Sequence, residues 1–133
     1  MNETKNNSQP QERHYRIFIE QSPSAIAMLD KNMVYLAVSE RWLTDYKLDK
    51  QNVVGRSHYD IFPEIGDDWR AKHQKCLQGA IDTCEEAPFQ REDGSIQWIY
   101  WDVRPWYESN GMIGGLLMHT GDITRQKEKE LEK

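Results

Sequence analysis

Asp102 and His119 are the ionisable residues whose expected positions could support acid–base chemistry. They lie on two segments, 96–107 and 112–123, which have strand-like patterns and are separated by an Asn-Gly turn. A carboxylate beside an imidazole can act as an acid–base pair where the site tunes both pKa values. The chain has no Ser-His-Asp order, no His-rich metal spacing and no phosphate-binding glycine loop. A small α+β enzyme using Asp102 and His119 is therefore an alternative to a binding module.

His73 is the second candidate, because it lies at the edge of the apolar stripe of a predicted helix over 68–80. A neutral imidazole in that setting can ligate iron. The simpler interpretation is a partly buried or edge histidine. We favour it, so no metal site is expected unless His73 binds iron. The two cysteines, Cys76 and Cys84, form no Cys-x-x-Cys pattern and are expected to be reduced thiols.

The composition limits the classes of protein to which the chain can belong. The 133 residues suit one domain, and 22 acidic against 17 basic residues give a formal net charge of −5. A chain without basic excess is not expected to bind nucleic acid or an anionic membrane. The longest apolar run, 112–118, is far shorter than the roughly 20 residues of a membrane-spanning helix, and the N-terminus has no signal-peptide pattern. We predict a cytoplasmic domain without direct membrane contact.

The periodicity of apolar residues predicts the order of helices and strands. A helix over 12–20 would place Tyr15, Phe18 and Ile19 on one face. Ser39 is a good N-cap for the helix after the first hairpin. The predicted elements are helix 12–20, strands 25–30 and 33–38, helix 39–48, short helical turns within 52–65, helix 68–80, strands 84–91, 96–107 and 112–123, and helix 124–133.

These elements predict an α+β domain in which five strands form one antiparallel sheet with short helices over one face. Residues 1–11 are expected to be a polar, disordered tail. Residues 12–123 would be the folded domain. Residues 124–133 would begin a C-terminal linker or coiled-coil helix.

The strand predicted over 96–107 has two unlike faces, since alternate side chains point to opposite sides of a sheet. One face is apolar and suits a core. The other is aromatic but interrupted by an ion pair, and it suits either a polar-lined cavity or a surface covered by a partner. The sequence leaves open which face looks inward. The first face consists of Ile99, Trp101, Val103, Pro105 and Tyr107, and the second of Trp98, Tyr100, Asp102, Arg104 and Trp106.

Several motifs together resemble a PAS domain of the sensory-box type with its PAC segment, over about residues 13–127. One departure is Ser39, where many members have Asn. The resemblance implies the PAS fold and a non-catalytic sensory or dimerisation module. The motifs are the Asp93-Gly94 turn before a Trp-containing strand, Arg-Pro-Trp at 104–106, Gly114-Gly115, and Gly121-Asp122-Ile123-Thr124 before a charged helix.

The resemblance also implies partners and a signalling route. The output domain would be a sensor histidine kinase, or next a diguanylate cyclase, in the same polypeptide. The module is expected to form a homodimer through Tyr15, Phe18 and Ile19. Its signal would pass through Asp122, Ile123 and Thr124, with Thr124 capping the C-terminal helix and Asp122 pairing a nearby cation.

A cavity between sheet and helices is a further implication of the resemblance. Light-sensing LOV members form a flavin adduct at a Cys within Gly-Arg-Asn-Cys, but this chain has His58 at that place, so the adduct is not expected. The cofactor is unknown: none or a small organic ligand is expected, and heme at His73 is an alternative. A purely structural dimer module is another. The candidate ligand-binding residues are His73, Leu77, Trp98, Tyr100, Arg104, Leu116 and Met118.

Overall fold

A computed structural model describes residues 14–49 and 52–132, so the predicted tail 1–11 lies outside the described residues. The elements follow the predicted order and begin with α1, helical over residues 14–20. The strands are β1 (Ala25–Asp30), β2 (Tyr35–Val38), β3 (Asp82–Gln90), β4 (Ile96–Tyr107) and β5 (Ile113–Asp122). The other helices are α2 (Glu40–Asp45), α3 (His58–Ile61), α4 (Asp67–Cys76) and α5 (Thr124–Glu132).

The five strands form one antiparallel sheet in the order β2-β1-β5-β4-β3. β1 pairs with β2 on one side and with β5 on the other, so the first hairpin joins the C-terminal meander across the helical connection. β5 pairs with β4 over most of their lengths, and β4 pairs with β3. The predicted fold class, α+β with a five-stranded antiparallel sheet, is confirmed.

Ser39 fixes α2 against the sheet. Its hydroxyl accepts hydrogen bonds from the backbone N–H groups of Trp42 and Ile26, at 3.1 and 3.0 Å. The same hydroxyl donates to the carbonyl of Ser24 at 2.8 Å. Ser39 is fully buried, so no water replaces these bonds. The predicted N-cap is confirmed, and it also bridges the helix to β1.

Two glycines of β5 let neighbouring groups approach the sheet. A Cβ on Gly114 would lie 2.2 Å from the ring of Trp106, and one on Gly115 would lie 1.8 Å from the carbonyl oxygen of Leu29. The indole N–H of Trp106 donates to that same oxygen at 2.8 Å. The Gly114-Gly115 pair therefore serves close packing, as its position inside a strand indicates.

The main core lies between the sheet and helices α2, α3 and α4, and α1 packs on the opposite sheet face. There Ile19 contacts a small cluster that includes Met28 and Ala37. Ile19 is 6% exposed, whereas Phe18 is 77% exposed. The residues of the predicted single face of α1 are therefore not all buried. Neighbouring positions lie about 100° apart around a helix, so Ile19 and, in part, Tyr15 pack against the sheet while Phe18 faces solvent.

Candidate functional site

A cavity of about 80 Å³ lies between the inner face of the sheet and helices α2, α3 and α4. The rings of Trp69 and Trp101 meet edge to face across one wall, with centroids 4.7 Å apart. The walls are predominantly aromatic, which suits a flat organic molecule. The aromatic rings are those of Trp42, Tyr46, Phe62, Trp69, Phe89 and Trp101.

Two histidines lie side by side in the cavity wall. The rings of His58 and His73 are 5.3 Å apart between centroids, and the residues are 5% and 3% exposed. Nδ1 of His58 shares a hydrogen bond with the hydroxyl of Tyr35, and Nδ1 of His73 shares one with the hydroxyl of Tyr59 at 2.8 Å. When both tyrosines donate, Nε2 of each neutral ring carries a proton and becomes a donor. The sequence prediction placed His73 at the edge of its helix stripe; that placement is wrong, because the residue is buried.

Burial keeps the histidine pair neutral. Burial first, and the neighbouring His73 second, lower the pKa of His58 to about 3. Burial lowers the pKa of His73 to about 4, although Asp82 acts in the opposite direction. Burial also raises the pKa of Tyr35 well above its usual value. Since an imidazolium and a phenolate are both poorly solvated here, His58, His73 and Tyr35 act as neutral hydrogen-bonding groups at neutral pH.

Trp42 lines the cavity and carries a buried donor without an acceptor. The residue is 1% exposed, and its indole N–H has no hydrogen-bond partner among the described residues. The indole of Trp42 acts to lower the pKa of Tyr35, against the larger effect of burial, but its N–H forms no hydrogen bond of normal geometry with the Tyr35 hydroxyl. An unsatisfied buried N–H costs about 1–3 kcal/mol. A ligand whose carbonyl or ring nitrogen reached this N–H would recover that free energy.

A polar groove of about 480 Å³, here called the acidic groove, adjoins the cavity. Tyr46, Arg91 and Gln97 line both spaces and form their boundary. Arg91 lies 3.6 Å from a carboxylate oxygen of Glu64, and its guanidinium is 5.4 Å from the ring centroid of Phe62. The groove is lined by five carboxylates and two cations, namely Asp45, Glu64, Glu92, Asp93 and Asp122 against Lys47 and Arg91.

The start of α5 is tied to β4, the strand that lines the cavity. The hydroxyl of Thr124 accepts a hydrogen bond from the backbone N–H of Trp98 at 2.8 Å, and the N–H of Ile123 donates to the carbonyl of Trp98 at 2.8 Å. One carboxylate oxygen of Asp122 accepts from the N–H of Thr124, and the other from the side-chain amide of Gln97, each at 2.8 Å. Burial acts to raise the pKa of Asp122, but these hydrogen bonds outweigh burial and lower it.

These contacts correct the predicted roles at the helix start. Thr124 is already helical, and its hydroxyl binds the strand instead of capping its own helix. Asp122 satisfies the first helical N–H, and its main side-chain partner is an amide instead of a cation. Further along, Lys127 holds the helix on the sheet through Glu86 at 2.7 Å and through the ring of Trp98, 4.9 Å away.

Two of the seven predicted ligand-binding residues, His73 and Met118, line the cavity. Leu77 and Leu116 pack in the core cluster beside it. Trp42 and Tyr46 also line the cavity, but they were not predicted to do so. Their helical spacing predicts only an apolar helix face. It does not show where the packed side chains leave a cavity.

Trp98, Tyr100 and Arg104 lie on the outer face of the sheet and do not line the cavity. The reason is the alternation of β4: the cavity uses the face of Gln97, Ile99, Trp101 and Val103. The apolar face therefore looks inward and carries both the core and the cavity. The mixed face looks outward, where its ring at position 98 contacts α5.

Asp102 and His119 are neighbours in the ladder between β4 and β5. The carboxylate of Asp102, however, receives two hydrogen bonds from Arg104, each at 2.7 Å, and these bonds lower its pKa. His119 packs edge-on against the ring of Tyr100, and its buried Nε2 has no partner in the part of the chain that the structure describes. With the carboxylate engaged by Arg104, the geometry does not support an acid–base pair.

Heme at His73 and the absence of a flavin adduct both stay predictions. The space beside His73 is about 80 Å³, which is smaller than a porphyrin. His58, at the place of the reactive cysteine in LOV domains, is a buried partner of Tyr35. Within the described ranges, no group of three or more His, Cys, Asp or Glu side chains is placed to hold a metal ion. Nor does any described helix have the length and apolar character needed to cross a membrane.

A five-stranded sheet, a helix-covered aromatic cavity and a helix leaving the last strand define a sensory domain of PAS type. The family model described as PAS fold matches residues 19–128, and the chain belongs to this family. The comparison with curated proteins finds no match.

Solved structures similar to this chain share its fold. The PAS domain of BvgS from Bordetella pertussis is 18% identical, with a TM-score of 0.70 over 93% of this chain and 96% of that one. The Vibrio cholera VqmA–ligand–DNA complex is 17% identical, with a TM-score of 0.67 over 84% of this chain and 51% of that one. An RNA-binding light-oxygen-voltage receptor is 17% identical, with a TM-score of 0.68 over 94% of this chain and 35% of that one. The chain thus spans about half of the VqmA chain, and these identities show the fold alone.

Proposed function

We propose that this chain is the sensor module of a larger signalling protein and that its cavity binds a small, uncharged organic ligand. The carrying observation is the buried N–H of Trp42, a lining residue whose donor lacks an acceptor, in a wall that is predominantly aromatic. The neutral histidine pair adds up to two more donors. A flat molecule with a hydrogen-bond acceptor matches this set of groups, whereas an anion would have to pass the acidic groove.

The signal leaves the domain through Asp122, Ile123 and Thr124. Their contacts connect the cavity-lining strand β4 to α5. Beyond its first turns α5 has no buried side chain in its described part, and Leu131 is 69% exposed, so the helix is available to continue into another domain. We assign the output to a sensor histidine kinase in the same polypeptide, with a diguanylate cyclase as the next candidate.

A nucleic-acid-binding output is a third candidate, favoured by the similarity to VqmA, which was solved with DNA, and to an RNA-binding receptor. The module itself has a formal charge of −5. Nucleic acid would therefore contact another part of the polypeptide, because binding needs a basic surface. The absence of nucleic-acid partners stays a prediction for this domain, as does its cytoplasmic location.

We further assign a homodimer to the exposed side of α1. Phe18 is 77% and Ile17 is 45% exposed, so the helix presents adjacent apolar side chains to solvent. Ile19 belongs to the packing within one chain. A partner copy covering Phe18 would remove this apolar surface from water.

The ligand proposal is tested by nuclear magnetic resonance of the indole N–H groups during titration with benzamide, an uncharged ring with a carbonyl acceptor. The signal of Trp42 is expected to shift downfield as its N–H gains an acceptor. Trp106 is the internal reference, since its N–H already donates to Leu29 on the outer face. Native mass spectrometry of the purified chain checks for a ligand that is already bound.

A second outcome would contradict the proposal. If the Trp42 signal responds neither to benzamide nor to other uncharged ring compounds, and no ligand accompanies the purified chain, the cavity has no occupant of this class. The purely structural dimer module would then be the better interpretation. Trp42→Phe keeps a ring in the wall but removes the donor, and it is expected to weaken benzamide binding about tenfold, the effect of one lost hydrogen bond to a buried donor.

A further inference from the structure

Gln97 lines the cavity and also contacts the output segment, residues 122–124, which leads into α5. Its side chain lines both the cavity and the acidic groove. Its amide nitrogen donates to the carboxylate of Asp122 at 2.8 Å. Trp98, the next residue, points to the outer face and binds the start of α5 through its backbone. The two consecutive residues therefore both hold the helix start, Gln97 through its side chain and Trp98 through its backbone.

The carboxylate of Asp122 is shared between the cavity and the helix. One oxygen accepts the Gln97 amide, and the other accepts the first helical N–H, that of Thr124. A carboxylate held at both oxygens has a fixed orientation. Loss of the amide frees it to rotate, which weakens its bond to the helix N–H.

The size of the cavity makes Gln97 responsive to a ligand. An engineered protein cavity that binds benzene has a volume of about 150 Å³, and the cavity here has about 80 Å³. A ring-sized ligand must therefore displace part of the lining, and the lining is most easily displaced at the boundary with the acidic groove. Of the boundary residues, Tyr46 is held by Thr120 at 2.6 Å and Arg91 is paired with Glu64. Gln97 is the boundary residue whose partner is the output segment.

We propose that Gln97 is the positioning residue that converts cavity occupancy into release of α5. A ligand in the cavity takes up the Gln97 amide or pushes it aside, Asp122 loses one of its two hydrogen-bond donors, and the first turn of α5 loosens. This inference rests on the proposed ligand-binding function and names the residue through which that function acts. It involves no covalent step.

The test measures backbone hydrogen exchange at Thr124–Lys127 in the 133-residue chain, with and without benzamide. In the unmodified protein, benzamide is expected to speed exchange at these amides about fivefold, the equivalent of one typical hydrogen bond. Gln97→Leu keeps a similar volume but removes the amide. It is expected to show the faster exchange already without benzamide and no further change when benzamide is added. Gln97→Glu, which places a second carboxylate beside Asp122, is expected to behave in the same way.

Gln90→Leu, at an exposed position of β3, is the matched control and is expected to behave like the unmodified chain. Equal exchange in Gln97→Leu and the unmodified chain without benzamide would overturn the inference, as would an undiminished benzamide response in Gln97→Leu. The Trp42 indole signal, recorded on the same samples, separates the two proposals. If it shows no binding, the ligand proposal fails for this probe, while the comparison without benzamide still decides whether Gln97 holds the helix start.

Discussion

The hydroxyl of Thr124 accepts a hydrogen bond from the backbone N–H of Trp98 at 2.8 Å, so a side chain continues the pairing of β4 where β5 ends. The last register pair of the two strands is Ile99 with Asp122. Beyond it, the carbonyl of Trp98 still accepts the N–H of Ile123, and the hydroxyl of Thr124 supplies the acceptor that a further strand residue would have provided. At this position the hydroxyl of Thr124 therefore replaces a backbone carbonyl in the attachment of the output helix to the sheet.

Thr124→Val is expected to detach the first turn of α5 while leaving the rest of the domain folded. Valine has the shape of threonine but no hydroxyl, so the half-buried N–H of Trp98 loses its acceptor. The expected cost is about 1 kcal/mol, seen as faster hydrogen exchange at the Trp98 and Thr124 amides. Thr124→Ser keeps the hydroxyl and is the matched control. Unchanged exchange at Trp98 in Thr124→Val would contradict the role assigned to the hydroxyl.

Ser39→Ala is expected to destabilise the whole domain by about 2–3 kcal/mol, because it leaves two backbone N–H groups and one carbonyl without a partner at a fully buried position. Urea unfolding followed by tryptophan fluorescence measures the loss. Ser57→Ala is the comparison, since Ser57 caps α3 through a single bond to the N–H of Tyr59 at 3.2 Å. It is expected to cost about 1 kcal/mol. Equal losses in the two variants would show that the bridging role of Ser39 adds nothing.

The strands and their order could be predicted because alternation and turn residues are local signals. The strand over 96–107 was predicted with the observed bounds, and the Asn-Gly and Asp-Gly turns mark the hairpins of the meander. Ser39 was predicted as a cap from its residue type and position. The PAS family could be identified because its motifs combine these same local features.

The lining of the cavity could be predicted only in part, because it depends on how the helices pack against the sheet. The alternation of β4 separates Trp98 from Trp101, but both faces contain rings, and residue types alone do not say which face the helices cover. His58 and His73 are 15 positions apart in sequence and meet only because α3 and α4 pack together. Threonine is a good N-cap by residue type, but the hydroxyl of Thr124 accepts a hydrogen bond from Trp98 in β4 instead. A local sequence pattern cannot predict this tertiary contact.

The stability of the domain is expected to fall between pH 7.5 and pH 5. The folded-state pKa values of His58 and His73, about 3 and about 4, lie below the usual value near 6.5 of an unfolded chain. As the pH falls through 6.5, the unfolded state takes up protons that the folded state does not, so unfolding is favoured. At pH 5 the loss is at most about 2 kcal/mol for each ring. Asp122, whose pKa is lowered, loses its contribution only below about pH 4 and lies outside this window.

Urea unfolding at several pH values measures this dependence. His58→Gln, whose amide can still hydrogen-bond with Tyr35, is expected to halve the slope of stability against pH, and adding His73→Gln is expected to remove most of it. His14→Gln, at an exposed position of α1, is the matched control. Equal stability of the unmodified chain at pH 5 and pH 7.5 would show that the two rings are not buried as neutral groups.

Phe18→Glu is expected to convert the proposed homodimer to a monomer without changing the stability of the fold. Phe18 is 77% exposed within one chain, so its replacement removes apolar surface and adds a charge only at the interface between copies. Ile19→Ala acts differently, since Ile19 is 6% exposed and packs against Met28. It is expected to destabilise each chain by about 2–4 kcal/mol. Sedimentation velocity at high micromolar concentration measures the first effect and urea unfolding the second.

Ile81→Glu is the control for the dimer experiment, because Ile81 is 57% exposed and directly precedes β3, at the opposite edge of the sheet from β2. It is expected to leave the sedimentation coefficient of the dimer unchanged. A monomeric unmodified chain at high micromolar concentration would contradict the homodimer. A dimer that persists in Phe18→Glu would instead place the interface on another surface, and the outer face of β4 around Tyr100 and Arg104 is then the next surface to substitute.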